Sequence, residues 1–99
     1  MEIMLKGRTK DYFAIAEWSG GQVIVKEGSK ISLEMQKEFK YTKNVLQYRS
    51  DTSVVDSNGK IKKDILFSSL TAAAQFVTGM SVNGRKVWKT KEEKRVCDI

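Results

Sequence analysis

Residues 12–27 read YFAIAEWSGGQVIVKE. Two runs rich in aromatic and β-branched side chains, YFAIAEW (12–18) and QVIVKE (22–27), flank Ser19-Gly20-Gly21. Such runs favour the pleated strand. Adjacent glycines supply the positive φ that a two-residue hairpin turn requires. A turn of that length pairs Trp18 with Val23 and Ala16 with Val25 on one face. Ile15, Glu17, Ile24 and Lys26 then fall on the other face, because side chains alternate along a strand. The first face reads as core and the second as mixed. On this pairing Trp18 is first a core aromatic and only second a platform for stacking a base.

The chain on either side extends the same pattern. Gly28-Ser29 breaks the second strand, and Lys30-Ile31-Ser32-Leu33 is expected to start a short third one. Met35, Phe39, Val45 and Leu46 recur at roughly helical spacing. That spacing predicts a helix over 42–49 and, less regularly, over 34–41. TSVV (52–55) and KIKKDILF (60–67) flank Asp56-Ser57-Asn58-Gly59. Asn-Gly is a strong hairpin signal, so a second hairpin is expected, with Lys60, Lys62 and Lys63 near its tip. Leu70 to Thr78 is the cleanest helix: Ser68 or Ser69 can cap it, Ala72-Ala73-Ala74 fills it, and Gly79 can end it. Ser81-Val82-Asn83-Gly84 then reads as a turn and Arg85 to Lys89 as a short strand. Residues 90–99 form a charged tail. With no linker, repeat or low-complexity tract, residues 1–99 read as one small α+β domain of antiparallel β-hairpins packed with one or two short helices.

Composition narrows the chemistry. The chain has 99 residues, no histidine, no proline and one cysteine, and 40% of it is hydrophobic. That length supports a single domain, and that apolar fraction is ordinary for a folded one. Lack of histidine excludes Ser-His-Asp and Cys-His nucleophilic sites and imidazole metal ligands. A lone cysteine, Cys97, excludes an intramolecular disulfide and a cysteine-rich zinc site, and reads as an incidental thiol. Glu17, Glu27, Asp51, Asp56 and Asp64 are dispersed, whereas metal-dependent nucleases need clustered carboxylates. Asp64 beside Lys62 and Lys63 is the faintest approach to one and reads as a solvated face. No catalytic residue, metal site or cofactor is expected. No apolar run approaches the ~20 residues that span a bilayer. Lys6 and Arg8 interrupt the short run Ile3-Met4-Leu5, so no signal-peptide core follows Met1. The expectation is a cytoplasmic, reduced protein.

Eighteen Lys and Arg against twelve Asp and Glu leave a net charge of +6. A small basic domain attracts polyanions before contact, and nucleic acid is the commonest of them. The plainer alternative is that the lysines only keep the chain soluble. The cations concentrate towards the end, where Arg85, Lys86, Lys89, Lys91, Lys94 and Arg95 face Glu92, Glu93 and Asp98. Lys6, Arg8 and Lys10 face Glu2 at the start.

The block Leu66-Phe67-Ser68-Ser69-Leu70-Thr71-Ala72-Ala73-Ala74, then Val77-Thr78-Gly79 and Ser81-Val82-Asn83-Gly84, resembles the RAMA (restriction adenine methylase associated) accessory domain. Trp88 and Lys89 match the end of that pattern, and Lys26-Glu27-Gly28-Ser29-Lys30 resembles its strand-then-Gly-Ser element. The similarity covers roughly residues 4–89. It departs at Leu70, where the family often has proline, and at Arg85, where it often has tryptophan. The resemblance implies a noncatalytic module that recognises DNA, including modified DNA, alongside a separate nuclease or methylase.

A DNA site needs backbone N–H groups, hydroxyls and cations for phosphates. Ser68, Ser69 and Thr71 open the alanine-rich helix and can supply the first two, plain capping being the alternative. Ser81, Asn83, Gly84, Arg85 and Lys86 form the best candidate segment. Gly84 permits close backbone approach. Asn83 can pair with an adenine edge, Arg85 can grip guanine or a phosphate, and Lys86 and Lys89 can neutralise phosphates. Trp88 can stack on a base, although a core role comes first for it. The expectation is that the helix opening and residues 83–89 lie side by side as a cationic surface for duplex DNA, on a monomer or weak dimer with no membrane contact. The alternative is a protein-interaction or self-association module that works through an exposed strand edge.

Overall fold

The hairpin at residues 12–27 is the centre of the sheet in a computed structural model that describes residues 1–7, 12–34, 43–90 and 92. Four strands, β1 (Glu2–Lys6), β2 (Phe13–Ser19), β3 (Gln22–Val25) and β4 (Ile65–Phe67), form one antiparallel sheet in the order β1-β2-β3-β4. Three helices accompany it: α1 (Lys43–Arg49), α2 (Leu70–Thr78) and the single turn α3 (Gly84–Val87). The fold is a small α+β domain, as the sequence implied. No helix among the described residues is long and apolar enough to cross a membrane.

The hairpin register is the one the glycines dictate. Trp18 pairs with Val23 and Ala16 with Val25. Gly20 and Gly21, at φ 56 and 85, make the turn, with both central residues at positive φ as a type I′ turn demands. One face of the sheet is dry: Ile3, Leu5, Ala14, Ala16, Val23, Val25, Ile65 and Phe67 are all buried. Helix α2 lies on this face, and its small Ala73 and Ala74 let Phe76 and Val77 reach the sheet. Tyr48 of α1 meets Phe67 edge-on at 5.6 Å, and Phe67 lies 5.1 Å from Phe76.

Several expectations are corrected. The third strand at 30–33 shrinks to Lys30, which bridges Phe13 on one side and Lys60 on the other. The chain leaves the sheet because the Ser32 amide donates to the Val77 carbonyl of α2 at 2.8 Å. The second hairpin forms about Asp56-Ser57-Asn58-Gly59, with Val55 bridging Ile61. It is shorter than expected: the run 60–67 breaks at Lys62–Asp64, and Ile65–Phe67 pairs with β3 instead. The Asp64 carboxylate accepts from the Glu27 amide at 2.8 Å and lies 3.6 Å from the Lys26 ammonium, which ties this break to the sheet. The stretch 85–89 is a helical turn followed by one bridge, Lys89 to Met4, rather than a strand. Strand β1 pairs along its whole length with β2 and is an element the sequence pattern did not mark. The helix expected over 42–49 is observed at 43–49, whereas residues 35–41, Cys97 and the tail beyond 92 lie outside the described residues.

Candidate nucleic-acid interface

Strand β4 ends at Phe67 beside Val23, and two serines carry the chain straight into α2. This brings the opening of α2 next to the tip of the central hairpin. Ser69, in an extended conformation, accepts from the Ala72 amide through its hydroxyl at 3.0 Å and so caps the helix. Asn83 caps α3 likewise, its Oδ1 accepting from the Arg85 amide at 3.0 Å.

Three contacts lock the two helix openings together. The Gly84 amide donates to Thr71 Oγ1 at 3.2 Å. The Trp88 indole Nε1–H donates to the Leu70 carbonyl at 3.0 Å. Gly84 itself lies so close to the Leu70–Thr71 peptide that a Cβ there would overlap it.

Between the helix openings and the hairpin tip lies a cleft of about 360 Å³, lined by Trp18 and Gly21 on one side and by Ser68–Thr71, Asn83 and Arg85 on the other. Among the described residues no acidic side chain lines it. Among them, too, the exposed Arg85 guanidinium makes no ion pair and the exposed Ser68 hydroxyl makes no hydrogen bond. Asn83 spends its Oδ1 on its own turn, which leaves its amide N–H₂ as the outward group. The lining can therefore donate to an anion from a guanidinium, a hydroxyl and an amide. The described residues hold no group of three or more Asp, Glu or Cys placed for a metal ion.

Of the residues singled out from the sequence, Ser68, Ser69, Thr71, Asn83 and Arg85 converge on this cleft. Gly84 underlies it as backbone. Ser81 and Lys86 flank it without lining it. Two of the binding assignments fail. Trp88 is 0% exposed and has the core role that came first for it, so the stacking alternative is excluded. Lys89 exchanges two backbone hydrogen bonds with Met4, at 2.7 and 2.8 Å. Opposed residues share a face, which puts Lys89 on the far side of the sheet with Met4. Gly21 and the half-buried Trp18 are lining residues that the sequence did not single out. The Ser-Gly-Gly turn was the available signal, because it fixes where the hairpin tip points.

The family described as a domain of unknown function, DUF4357, matches residues 5–99. The chain belongs to that family. Among curated proteins and among solved structures, nothing matches. In this DUF4357 domain the family match begins within β1, at Leu5, and runs to residue 99, so it contains every residue of the cleft.

Proposed function

We propose that this DUF4357 domain is a noncatalytic nucleic-acid-binding module whose cleft at the opening of α2 and α3 holds the phosphate backbone of duplex DNA. The observation that carries the reading is the Arg85 guanidinium, free of carboxylate partners among the described residues, beside the Ser68 hydroxyl in a cleft with no acidic lining. Guanidinium and hydroxyl donors are the groups that position phosphates. A net charge of +6 adds long-range attraction. Lys86, exposed on the same turn as Arg85, supplies a second cation at the rim. The resemblance of the Phe67–Gly84 block and Trp88 to RAMA accessory domains supports the finer reading: a cytoplasmic DNA-recognition part that serves a separate nuclease or methylase in restriction and modification.

Fluorescence anisotropy with a labelled duplex across a salt series tests this. Binding should weaken as salt rises. The double change Arg85→Ala, Lys86→Ala should reduce the log–log salt slope by roughly 0.9 for each phosphate no longer neutralised. Comparing plain with adenine-methylated duplex tests modification reading. Absence of duplex binding at low salt, or binding indifferent to the double change, defeats the proposal.

A further inference from the structure

The face of the sheet turned away from α2 carries a row of residues drawn from four separate segments. Lys6 stands opposite Phe13, Phe13 opposite Lys30, and Lys30 opposite Lys60. Directly opposed residues put their side chains on the same face. With neighbouring strands ~4.8 Å apart, the row spans roughly 14 Å. All three lysines are exposed, and Phe13 among them is 41% exposed. Lys89, opposite Met4, adds an ammonium to this face on the outer side of β1.

This arrangement works against folding. Lys30 and Lys60 form no backbone hydrogen bond with each other. The flanking bonds, Ile31 N–H to Gly59 O and Ile61 N–H to Ser29 O, are both 2.8 Å. That is the narrow kind of antiparallel pair, with Cα atoms only ~4.5 Å apart, and like charges placed there are destabilising. Lys6, Lys30 and Lys60 make no ion pair among the described residues, and the Asp56 carboxylate attracts Lys60 only through space. Among the described residues Glu34 lines a pocket with Lys30, and four other acids are elsewhere or occupied. Glu2 and Glu17 pair at the opposite end of β1 and β2, and Glu17 is held by the Met1 amine at 2.7 Å. Asp56 gives its carboxylate to the Asn58 and Lys60 amides, and Asp64 lies against Lys26.

We infer that this row is a platform for single-stranded nucleic acid, with Phe13 stacking on one base and the ammoniums on either side taking the flanking phosphates. A sheet face bearing an exposed ring between cations offers the two things an unpaired strand uses, a π-face and a charged track. A duplex keeps its base faces inside the stack and cannot use the ring. A second copy of the chain fits poorly, because covering this face would bury the opposed Lys30 and Lys60 against other lysines. The platform is independent of the cleft: Phe13 opens β2, whereas Trp18 stands near its other end and on the other face.

Anisotropy of the full chain with a short fluorescein-labelled oligothymidylate tests the inference. Oligothymidylate should bind at low salt, and Phe13→Ala should weaken it about tenfold. Phe13→Leu, which keeps an apolar side chain on the sheet, should weaken it as well. Lys30→Ala with Lys60→Ala should lower the salt slope by roughly 0.7 per lysine. The same double change should hold or raise the melting temperature, which lysines retained for stability would not allow. Arg85→Ala with Lys86→Ala should leave oligothymidylate binding within about twofold, since distant sites act independently. Failure of duplex binding alone therefore leaves this inference standing. No oligothymidylate binding at low salt overturns it, as does binding unchanged by the Phe13 and lysine variants. A stable dimer in sedimentation that is indifferent to oligothymidylate overturns it too.

Discussion

At Gly84 the absence of a side chain sets the geometry of the cleft, because only bare backbone can lie against the Leu70–Thr71 peptide. Gly84→Ala should force the two helix openings apart. By analogy with overpacked cores the cost is about 1–3 kcal/mol in urea unfolding, and the cleft contacts should loosen with it. Trp88 shows what residue identity alone leaves open: a tryptophan near lysines suits a core first but a stacking platform as well. Only the bond from its indole to the Leu70 carbonyl and its complete burial decide for the core. A different kind of residue effect is seen in the turn at Asp56. Its carboxyl is held below the ordinary 3.8, first by the Lys60 amide, then by the Asn58 amide, with Lys62 and Lys60 adding positive charge. Asp51 is lowered in the same direction, first by the Ser53 hydroxyl and then by the Ser53 amide. A carboxyl depressed in the folded state adds stability above its ordinary value and loses it as pH falls through the lowered one. The melting temperature should therefore drop on acidification below 3.8. Asp56→Asn keeps an acceptor for both amides but does not titrate, so its melting temperature should fall less steeply over that range.

Elements whose signals are local were legible, and elements specified by distant partners were not. The central hairpin could be read to the residue because Gly20-Gly21 fixes both turn type and register. Helix α2 could be read because its cap, its alanines and its terminating Gly79 all lie within the segment. Strand β1 has no such marks: Ile3, Met4 and Leu5 become a strand only because β2 offers them an edge. The misreading of 85–89 has a definite cause. Asn83-Gly84 serves a turn or a helix cap equally well, and the Arg85 amide bonding back to Asn83 selects the cap. Five of the eight lining residues were visible, in the serine-opened helix and at Asn83 and Arg85. The Trp18 wall was not, since it depends on where the hairpin tip meets α2. The turn itself gives a sharp test by thermal melting. Gly20→Asn should be nearly neutral, because asparagine suits the first central position of this turn and nothing lies within 4 Å of an added Cβ. Gly21→Ala should cost about 1 kcal/mol, because alanine resists the left-handed region.

On the scale of the whole molecule, the described residues place basic charge on two opposite faces. Arg85 and Lys86 mark the cleft side, while Lys6, Lys30, Lys60 and Lys89 stand on the opposite surface of the sheet. Summed composition recorded the excess but not this partition, which follows from the alternation of neighbouring residues across the pleat. The pairing of Met4 with Lys89 has one more consequence. It brings Met1 and Glu2 alongside Thr90 and Glu92, so the first and last of the described residues share one corner. A short peptide bridging that corner, with the chain reopened between the exposed Ser57 and Asn58, should give a circular permutant with the parent's circular dichroism spectrum. By the same geometry the domain could be spliced into a surface loop of an unrelated host, occupying little more of the host's backbone than a tight bend.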